Sequence, residues 1–375
     1  MKKNMLFICL TITFAFLFTT GGFAADFSKY KAYECPQECL DQVKKEGSKL
    51  NIYDWAEWWP EELFKNFTKE YGVKVVRDHY DSTTAMGTKL RLNPDAPYDL
   101  VLGAGAGSAY QLEELKLLKH FNHDWLPNVD AYLVDEYMNV DWDPGRQFSL
   151  PDSIYFTTYA YNSKYVDSND PHVGSWGLLF DGASKYSGKI TMIDNASEVL
   201  GSALKYLGYS YNSINEKELI EAKNLIVKHK SHYLAFDSWP VRLLVEEEAF
   251  ISHNWIGDGW MVGKDVPTLR NVMPKEGTYY DGNTAFIPKG GKHPAAAHLF
   301  MNYIFRTDVN ALLVEAIGYP PVHKHVMEFM SDAMKAWPGF IIDPEYMKKC
   351  EGFDKRADTG PGKEMRDRMW EEIKN

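Results

Sequence analysis

The stretch WAEWWPEEL, residues 55–63, is where residue types first indicate chemistry, because it places three tryptophans and three glutamates within nine residues. Indole faces attract ammonium groups, and a carboxylate such as Glu57 supplies the charge partner. The alternative is structural, with Trp58 or Trp59 packing against the helix that follows. Because the turn is too short to bury every ring, the stretch favours a cation site that includes Trp55.

The same combination of aromatic and polar or acidic residues recurs at other predicted strand ends. Three further stretches carry it: DNASE at 194–198, HNWIGD at 253–258 and YYDGN at 279–283. Ligands of open α/β sheets bind beyond the carboxyl ends of the strands. The recurrence therefore favours an amine-binding cleft. One alternative stays open, since Asn195 is as good a helix cap as a ligand contact.

Short apolar runs alternate with helical patterns along the chain, which predicts βαβ units and mostly parallel sheets. In the first unit a strand at 50–53 leads to a helix with Pro60 at its first position and Gly72 at its end. The strand predicted at 153–161 is long enough to cross between two lobes. Since no flexible linker separates the lobes, we expect a hinge and a cleft. Further strands are predicted at 73–77, 98–102, 189–193, 249–253 and 284–288, and further helices at about 84–92, around 112–115, 197–207, about 215–229 and up to 317.

The first 24 residues have the layout of a cleaved secretory signal, with two lysines, an apolar stretch from about residue 5 to residue 18 and a small-residue end. A retained membrane anchor is the alternative, but the apolar stretch is shorter than the roughly 20 residues that span a bilayer. The mature chain is expected to begin near Ala25. Because no cysteine stands at the cleavage site to carry a lipid, we expect a soluble protein in a periplasm.

Composition and motifs argue against several function classes. The formal net charge of −11 argues against nucleic acid, because neutralising phosphates takes clustered Lys and Arg. The histidine pairs lack an acid motif such as H-E-x-x-H, so no metal site is predicted. The turn GAGAGS at 103–108 departs from the dinucleotide fingerprint, and no cofactor is predicted. A secreted glycoside hydrolase remains the enzymatic alternative, because tryptophan-lined clefts also bind sugars.

Three cysteines remain after the predicted cleavage. Cys35 and Cys39, in CPQEC, form the candidate disulfide, which would close a small loop within an N-terminal extension over 25–47. Either of them also has the alternative of pairing with Cys350, which would tie this extension to the C-terminal tail. One thiol is left over in each case.

Several stretches, taken together and in order, resemble one protein family. From about Leu50 to Tyr319 the chain is similar to the periplasmic polyamine-binding proteins, the spermidine and putrescine receptors of ABC importers. The resemblance implies a type II periplasmic-binding-protein fold, with two α/β lobes, a hinge and a ligand cleft between the lobes. The matching stretches are IYDWAEWWPEEL, YDLVL, the crossing from FSLP to YAYN, DNASEVLGSALKYLGYS, NWIGD, PKEG followed by a strand that ends in IP, and AIGYPP. The implied lobes are 48–154 plus 283–326 for lobe 1, and 155–282 plus 327–375 for lobe 2.

The resemblance also assigns site residues. Asn195 and Asn283 stand where the family commonly has carboxylates, and Asp281 stands where spermidine binders have a tryptophan. These three residues complete the predicted site with four aromatic walls and three acids. The aromatic residues are Trp55, Trp58, Trp255 and Tyr319, and the acids are Glu57, Glu198 and Asp258.

The function implied is that of an exported, monomeric receptor that binds a polyamine and delivers it to an ABC permease without catalysis. The departures from the family leave alternatives for the ligand, namely a shorter amine, a betaine or other quaternary amine, or a zwitterion. The small residues of GAGAGS bear on the zwitterion, because backbone N–H groups at a helix start can bind a carboxylate. The competing interpretation of GAGAGS is a tight turn without ligand contact.

Overall fold

The computed structural model describes residues 25–375, except residues 57, 238 and 264. The predicted signal peptide and Glu57 therefore lie outside the described residues. The main feature of the described chain is a sheet of ten strands, and β5 and β6 form a separate pair. The strands are β1 (Lys49–Trp55), β2 (Lys74–Tyr80), β3 (Leu100–Ala104), β4 (Leu118–Lys119), β5 (Asn139–Val140), β6 (Asp143–Pro144), β7 (Leu150–Asn162), β8 (Ile190–Ile193), β9 (Tyr233–Asp237), β10 (Ile251–Trp255), β11 (Leu269–Val272) and β12 (Tyr280–Pro288).

Helices cover the faces of this sheet and connect its strands. The α-helices are α1 (Gln37–Lys45), α2 (Glu61–Tyr71), α3 (Thr83–Leu92), α4 (Ala106–Glu114), α5 (Pro127–Tyr132), α6 (Asp135–Met138), α7 (Ala196–Tyr206), α8 (Glu216–His229), α9 (Arg242–Val245), α10 (Ile256–Gly263), α11 (Pro294–Ile304), α12 (Thr307–Ile317), α13 (Asp332–Lys335), α14 (Pro344–Met347), α15 (Lys355–Asp358) and α16 (Gly360–Lys374). Short 3-10 helices lie at His123–Trp125, Trp176–Leu179, Ala183–Tyr186, Lys230–His232 and Val326–Phe329. None of the helices in the described part of the chain is long and apolar enough to cross a membrane.

The sheet consists of two parallel halves joined by an antiparallel centre. The strand order is β2-β1-β3-β12-β7-β10-β8-β9, with β4 beside β12 and β11 beside β7. In one half β1 runs parallel to β2 and β3, and in the other β8 runs parallel to β9 and β10. The long strand β7 pairs with β12 through residues 150–156 and with β10 through residues 157–161. The predicted crossing at 153–161 therefore lies within the strand that connects the halves.

Helix α2 shows how local sequence determines the element that follows the tryptophan-rich stretch. Leu63, Phe64 and Phe67 are buried on one face, as their spacing predicts. Gly72 ends the helix in the left-handed conformation at φ 66°, where a side chain would be strained. The prediction of Pro60 at the first helical position is wrong by one residue, because Pro60 adopts an extended conformation with ψ 125° and serves as the N-cap.

Two main apolar cores lie on the two halves of the sheet. One contains buried residues from 35–156 together with 256–322, and the other contains residues from 159–251 and the C-terminal helix α16. Met369, Trp370 and Ile373 of α16 complete the second core. The C-terminal tail is thus an integral part of the fold, and the bounds predicted for the two lobes stay predictions.

The candidate disulfide is not present, since Cys35, Cys39 and Cys350 are all free thiols. The Cys35 thiol donates to the Trp125 carbonyl at 3.3 Å, and the Cys39 thiol reaches the Ala295 carbonyl at 3.9 Å. A hydrogen bond with Cys39 raises the pKa of the Cys35 thiol, and burial adds to the effect. The two nearby thiols therefore pack as small buried groups against α11 and the 3-10 helix at His123–Trp125.

Candidate functional site

A cleft of about 1100 Å³ opens where the strands of both halves end. Its walls come from the carboxyl ends of β1, β3, β8 and β10, the start of β12, and α16. This is the position that ligands take in open α/β sheets. Glu57 lies outside the described residues, and the other nine residues predicted for the site all line the cleft. They are Trp55, Trp58, Asn195, Glu198, Trp255, Asp258, Asp281, Asn283 and Tyr319.

The three tryptophans of the opening stretch divide between two roles. Trp59 is buried and packs 6.2 Å from the Phe64 ring of α2, so it fills the structural role. Trp55 and Trp58 line the cleft. The Trp55 indole N–H donates to the Gly103 carbonyl at 2.9 Å, which fixes the ring at the end of β1.

Aromatic rings from both halves of the sheet meet across the cleft. The ring centroids of Trp55 and Trp255 are 6.5 Å apart, and Tyr155 lies 6.5 Å from Trp255 in an edge-on arrangement. Tyr319 contacts Trp58 edge to face at 5.4 Å. Such rings provide apolar surface for methylene groups and π faces for ammonium groups.

Glu198 is a buried carboxylate held by three donors. The Tyr211 hydroxyl donates to it at 2.8 Å and the Trp255 indole N–H at 3.2 Å, and the Thr157 hydroxyl also donates. Burial raises the pKa of Glu198, while these hydrogen bonds act in the opposite direction. Glu198 is therefore fixed in place beside the Trp255 ring.

Asp258, at the start of α10, is a buried carboxyl with one oxygen to spare. Its Oδ1 accepts a hydrogen bond from the Tyr319 hydroxyl at 2.8 Å. Its Oδ2 is buried and has no hydrogen-bond partner among the described residues. Burial raises the pKa of Asp258 to about 7, while the Tyr319 hydroxyl and the nearby Trp255 N–H act in the opposite direction. A buried acceptor without a donor is costly, so a cation that entered the cleft would find this oxygen available.

Asp281 lies at the start of β12 and bonds to the main chain. Its Oδ2 accepts from the Ala106 N–H at 2.8 Å, and its Oδ1 accepts from the Gly282 N–H at 2.7 Å. Burial raises the pKa of Asp281 to about 7. Gly105, the N-cap of α4, contributes no side-chain cap, and Asp281 takes that place. The N–H at the start of α4 is thus occupied by the protein's own carboxylate.

The two asparagines of the predicted site differ in what they leave free. Asn195 caps α7, because its Oδ1 accepts from the Ser197 N–H at 3.0 Å and the Glu198 N–H at 3.3 Å. The Asn283 amide donates to the Ser153 hydroxyl at 3.0 Å. Asn195 therefore has a structural role that its sequence context already offered, whereas Asn283 lines the cleft and its amide nitrogen is bound to Ser153.

Several cleft residues were not predicted from the sequence. Tyr155 and Tyr279 line the cleft, and their ring centroids are 6.1 Å apart. Both belong to stretches that the sequence identified as strand and strand end, but nothing in the local pattern tells which face each ring takes. Asp358, at the end of α15, also lines the cleft, and no motif marks it.

The described residues contain no group of three or more His, Cys, Asp or Glu side chains arranged to hold a metal ion. Comparison with known proteins then assigns the chain to a family. The sequence profile of the bacterial extracellular solute-binding proteins matches residues 62–341. The chain belongs to this family.

Individual relatives agree with the family over most of the chain. The spermidine/putrescine-binding periplasmic protein of Escherichia coli (strain K12) is 28% identical over 88% of this chain and 92% of its own length. The putrescine/cadaverine-binding protein of Pseudomonas aeruginosa is 24% identical over 88% of this chain and 94% of its own length. The solved spermidine/putrescine ABC transporter substrate-binding protein of Streptococcus pneumoniae superposes with a TM-score of 0.73 at 25% identity, over 87% of this chain and 98% of that one. The predicted two-lobed α/β fold is confirmed.

Proposed function

We propose that this protein is a receptor of an ABC importer that binds a polyamine such as putrescine or spermidine in the aromatic and acidic cleft. The observation that carries the proposal is Asp258, whose buried Oδ2 has no partner among the described residues in a cleft walled by tryptophans. The names of the relatives from Escherichia coli and Pseudomonas aeruginosa support the same class of ligand. The receptor acts in the periplasm, after removal of the leader near residue 24, and as a monomer.

The proposed binding mode follows from the walls of the cleft. The rings of Trp55, Trp58 and Trp255 cover the methylene chain and the ammonium faces. Glu198 and Asp258 accept the ammonium hydrogen bonds. Glu57, beside Trp55 in the sequence, is a further carboxylate in this proposal. Asp281, Asn283 and the Tyr319 hydroxyl provide additional polar contacts, and Asn195 holds the start of α7.

Closing of the two lobes strengthens these contacts. Expulsion of water lowers the local dielectric constant, and charge-assisted hydrogen bonds gain strength there. A ligand that binds the closed form more tightly shifts the protein toward that form, which the permease can distinguish from the empty receptor. In this proposal the cleft binds and releases its solute without chemical change.

The zwitterion alternative finds little support in the cleft. Its carboxylate would need the N–H at the start of α4, and Asp281 occupies that N–H at 2.8 Å. A ligand carboxylate would therefore meet a protein carboxylate. Betaine, choline and aminoethylphosphonate serve as discriminating ligands in the test rather than as a second proposed function.

The direct test is a thermal-shift panel on residues 25–375 with putrescine, cadaverine, spermidine, spermine, choline, glycine betaine and aminoethylphosphonate. A free ligand at 100 times its Kd stabilises the folded protein by about 2.7 kcal/mol. We expect this size of shift with at least one diamine or polyamine. Shifts confined to betaine, choline or the phosphonate would refute the polyamine assignment. The absence of a melting-temperature shift with every ligand of the panel would also refute it.

Trp255→Ala separates ligand binding from packing. The Trp255 ring is only partly buried and its indole N–H donates to Glu198. We therefore expect the substitution to weaken putrescine binding by about 1 to 3 kcal/mol. The matched control is Trp59→Phe in the buried ring of the same aromatic cluster. This control should lower the melting temperature while leaving the Kd within about twofold. Equal Kd values for Trp255→Ala and wild type would contradict the binding mode.

A further inference from the structure

The C-terminal tail is tied to the start of β12 and so borders the cleft. The Glu351 N–H donates to the Thr278 carbonyl at 2.9 Å, and the Tyr280 N–H donates to the Glu351 carbonyl at 3.0 Å. The Glu351 carboxylate accepts from the Tyr211 N–H at 2.9 Å. These bonds hold the following segment, residues 352–358, beside the acidic part of the cleft.

The small turn between β3 and α4 provides the space that this segment fills. A Cβ atom added at Gly107 would lie 3.5 Å from the Phe353 ring and 3.6 Å from the Asp358 Cβ. A side chain longer than alanine would therefore push the tail away. Gln111, further along α4, donates to the Asp358 carbonyl at 3.0 Å. The small residues of the GAGAGS turn thus leave space for the tail beside the cleft.

Asp358 offers the cleft a carboxylate with unused acceptor capacity. Its side chain lines the cleft, and its Oδ2 accepts one hydrogen bond, from the Asp354 N–H at 3.0 Å. A carboxylate can accept about four hydrogen bonds. The ion pairs formed by the described residues include Asp354 with Arg356 but none with Asp358. No ion pair among the described residues therefore engages this carboxylate, although the charge of Arg366 acts on it.

The pKa of Asp358 depends on burial and on the charged residues around it in the acidic cleft. Burial is the largest cause that raises its pKa to about 6, and the charges of Glu198 and Asp354 act in the same direction. The hydrogen bond from the Asp354 N–H and the charge of Arg366 act in the opposite direction. Asp358 in turn raises the pKa of Asp281. The Nη2 of Arg366 on α16 donates to the Tyr211 carbonyl at 2.6 Å and the Ser213 carbonyl at 3.1 Å. Its Nε and Nη1 are buried and have no hydrogen-bond partner among the described residues, so Arg366 acts on Asp358 through its charge without a direct ion pair.

We propose that Asp358 is a ligand-binding residue of this cleft, which accepts an ammonium group of the bound amine at the end formed by α4 and the tail. The inference rests on the proposed amine-binding function and adds a determinant of specificity to it. Asn195 and Asn283 bring no charge to the cleft. The tail supplies a negative charge there through Asp358. The GAGAGS turn is the structural condition for this, because it makes room for Asp358.

The test compares Asp358→Asn with the control Asp354→Asn by titration calorimetry with putrescine on residues 25–375. Asp354 lies in the same segment, where it caps α15 and pairs with Arg356, and asparagine keeps the capping oxygen. We expect Asp358→Asn to weaken putrescine binding about 10- to 100-fold. The control should stay within about twofold of wild type.

A second readout separates a ligand contact from a structural role. At about pH 6 part of the Asp358 population is protonated, and binding of a cation favours the ionised form. The protein then releases protons to the buffer, so the measured binding heat depends on the ionisation enthalpy of that buffer. Asp358→Asn should release fewer protons than wild type. A weaker Kd with unchanged proton release would overturn the proposal, and so would an unchanged Kd.

The outcomes distinguish the two proposals. If wild type binds no member of the amine panel, the proposed function fails and this inference fails with it. If wild type binds putrescine and Asp358→Asn binds equally well, only the inference fails. Should Asp358→Asn not yield folded protein, Asp358→Ser replaces it, because serine also removes the charge and keeps a side-chain hydroxyl as a hydrogen-bond acceptor.

Discussion

Asp258 and Asp281 resemble each other in burial but differ in their partners. Both line the cleft, and burial raises the pKa of each carboxyl to about 7. Asp258 accepts from the Tyr319 hydroxyl and keeps an oxygen without a partner among the described residues. Both oxygens of Asp281 accept main-chain N–H groups. A raised pKa is therefore common to both carboxyls, and the oxygen without a partner is what distinguishes Asp258, the carboxyl proposed to bind the ligand.

One glycine near each of these two carboxyls shows a difference in packing. A Cβ at Gly257, next to Asp258, would lie 2.0 Å from the Tyr319 ring and 2.6 Å from the Ile317 carbonyl oxygen. A Cβ at Gly105, next to the Asp281 contact, would lie 3.5 Å from the Asp281 Oδ2 and 3.7 Å from the Tyr155 hydroxyl. An added methyl group would therefore clash at Gly257 but would make ordinary contacts at Gly105.

The largest expected effect comes from Gly257→Ala. The added methyl group forces the Tyr319 ring away from Asp258, so we expect a stability loss of about 3 kcal/mol or more and loss of putrescine binding. Gly105→Ala is the matched control and should change stability by less than about 1 kcal/mol, because its methyl group makes ordinary contacts. Thermal unfolding with and without putrescine measures both variants. Equal behaviour of the two would contradict the packing difference.

Asp258→Asn should reduce affinity with little change in stability. Asparagine keeps an acceptor for the Tyr319 hydroxyl but removes the charge offered to the ligand, so we expect about 10- to 100-fold weaker putrescine binding. The melting temperature should change little, because the pKa of about 7 leaves much of this carboxyl protonated at neutral pH. Calorimetry and thermal unfolding give the two values. An unchanged Kd would remove Asp258 from the proposed site.

Asp281→Asn should reduce the stability of the protein more than its affinity for putrescine. An amide replaces one acceptor oxygen with a donor, which then faces a main-chain N–H, so we expect a stability loss of about 1 to 3 kcal/mol. The effect on putrescine affinity should be smaller than that of Asp258→Asn. Chemical denaturation of both variants measures this. A larger affinity loss in Asp281→Asn would show that Asp281 is the main ligand carboxylate.

The smallest expected effect is a pH dependence of the ligand-free protein. The folded-state pKa of Asp258 lies above its unfolded value of about 3.9. The stability that comes from its bound proton is therefore fully present below about pH 4 and is lost as pH rises through about 7. Between about pH 5 and pH 8 the melting temperature of Asp258→Asn should fall less than that of wild type. Parallel pH profiles would contradict the raised pKa.

Local sequence was sufficient for elements whose start and end signals lie close together. The unit β1–α2 was predicted because Leu50, Pro60 and Gly72 each mark one step of it. The strands β9 and β11 were not predicted, since β9 is only partly buried and β11 alternates at an edge. Their pairing partners lie far away in the chain, at β8 and β7.

The candidate site was predictable where residues follow strand ends, and less so elsewhere. Sequence could not decide between Trp58 and Trp59, because the choice depends on how α2 packs on α11 through Phe64 and Phe300. Asp358 carried no local pattern at all. Its place in the cleft depends on long-range pairing of the tail with β12 and on the space beside Gly107.

The most direct measurement is titration calorimetry of residues 25–375 with putrescine at about pH 6 and about pH 8. The cleft carboxyls have pKa values raised to about 7 by burial, and the cation binds their ionised form, while the amines stay protonated at both pH values. We predict a single site that binds putrescine more tightly at the higher pH. Tighter binding at the lower pH, or no binding at either, would contradict an amine-binding cleft built on these carboxyls.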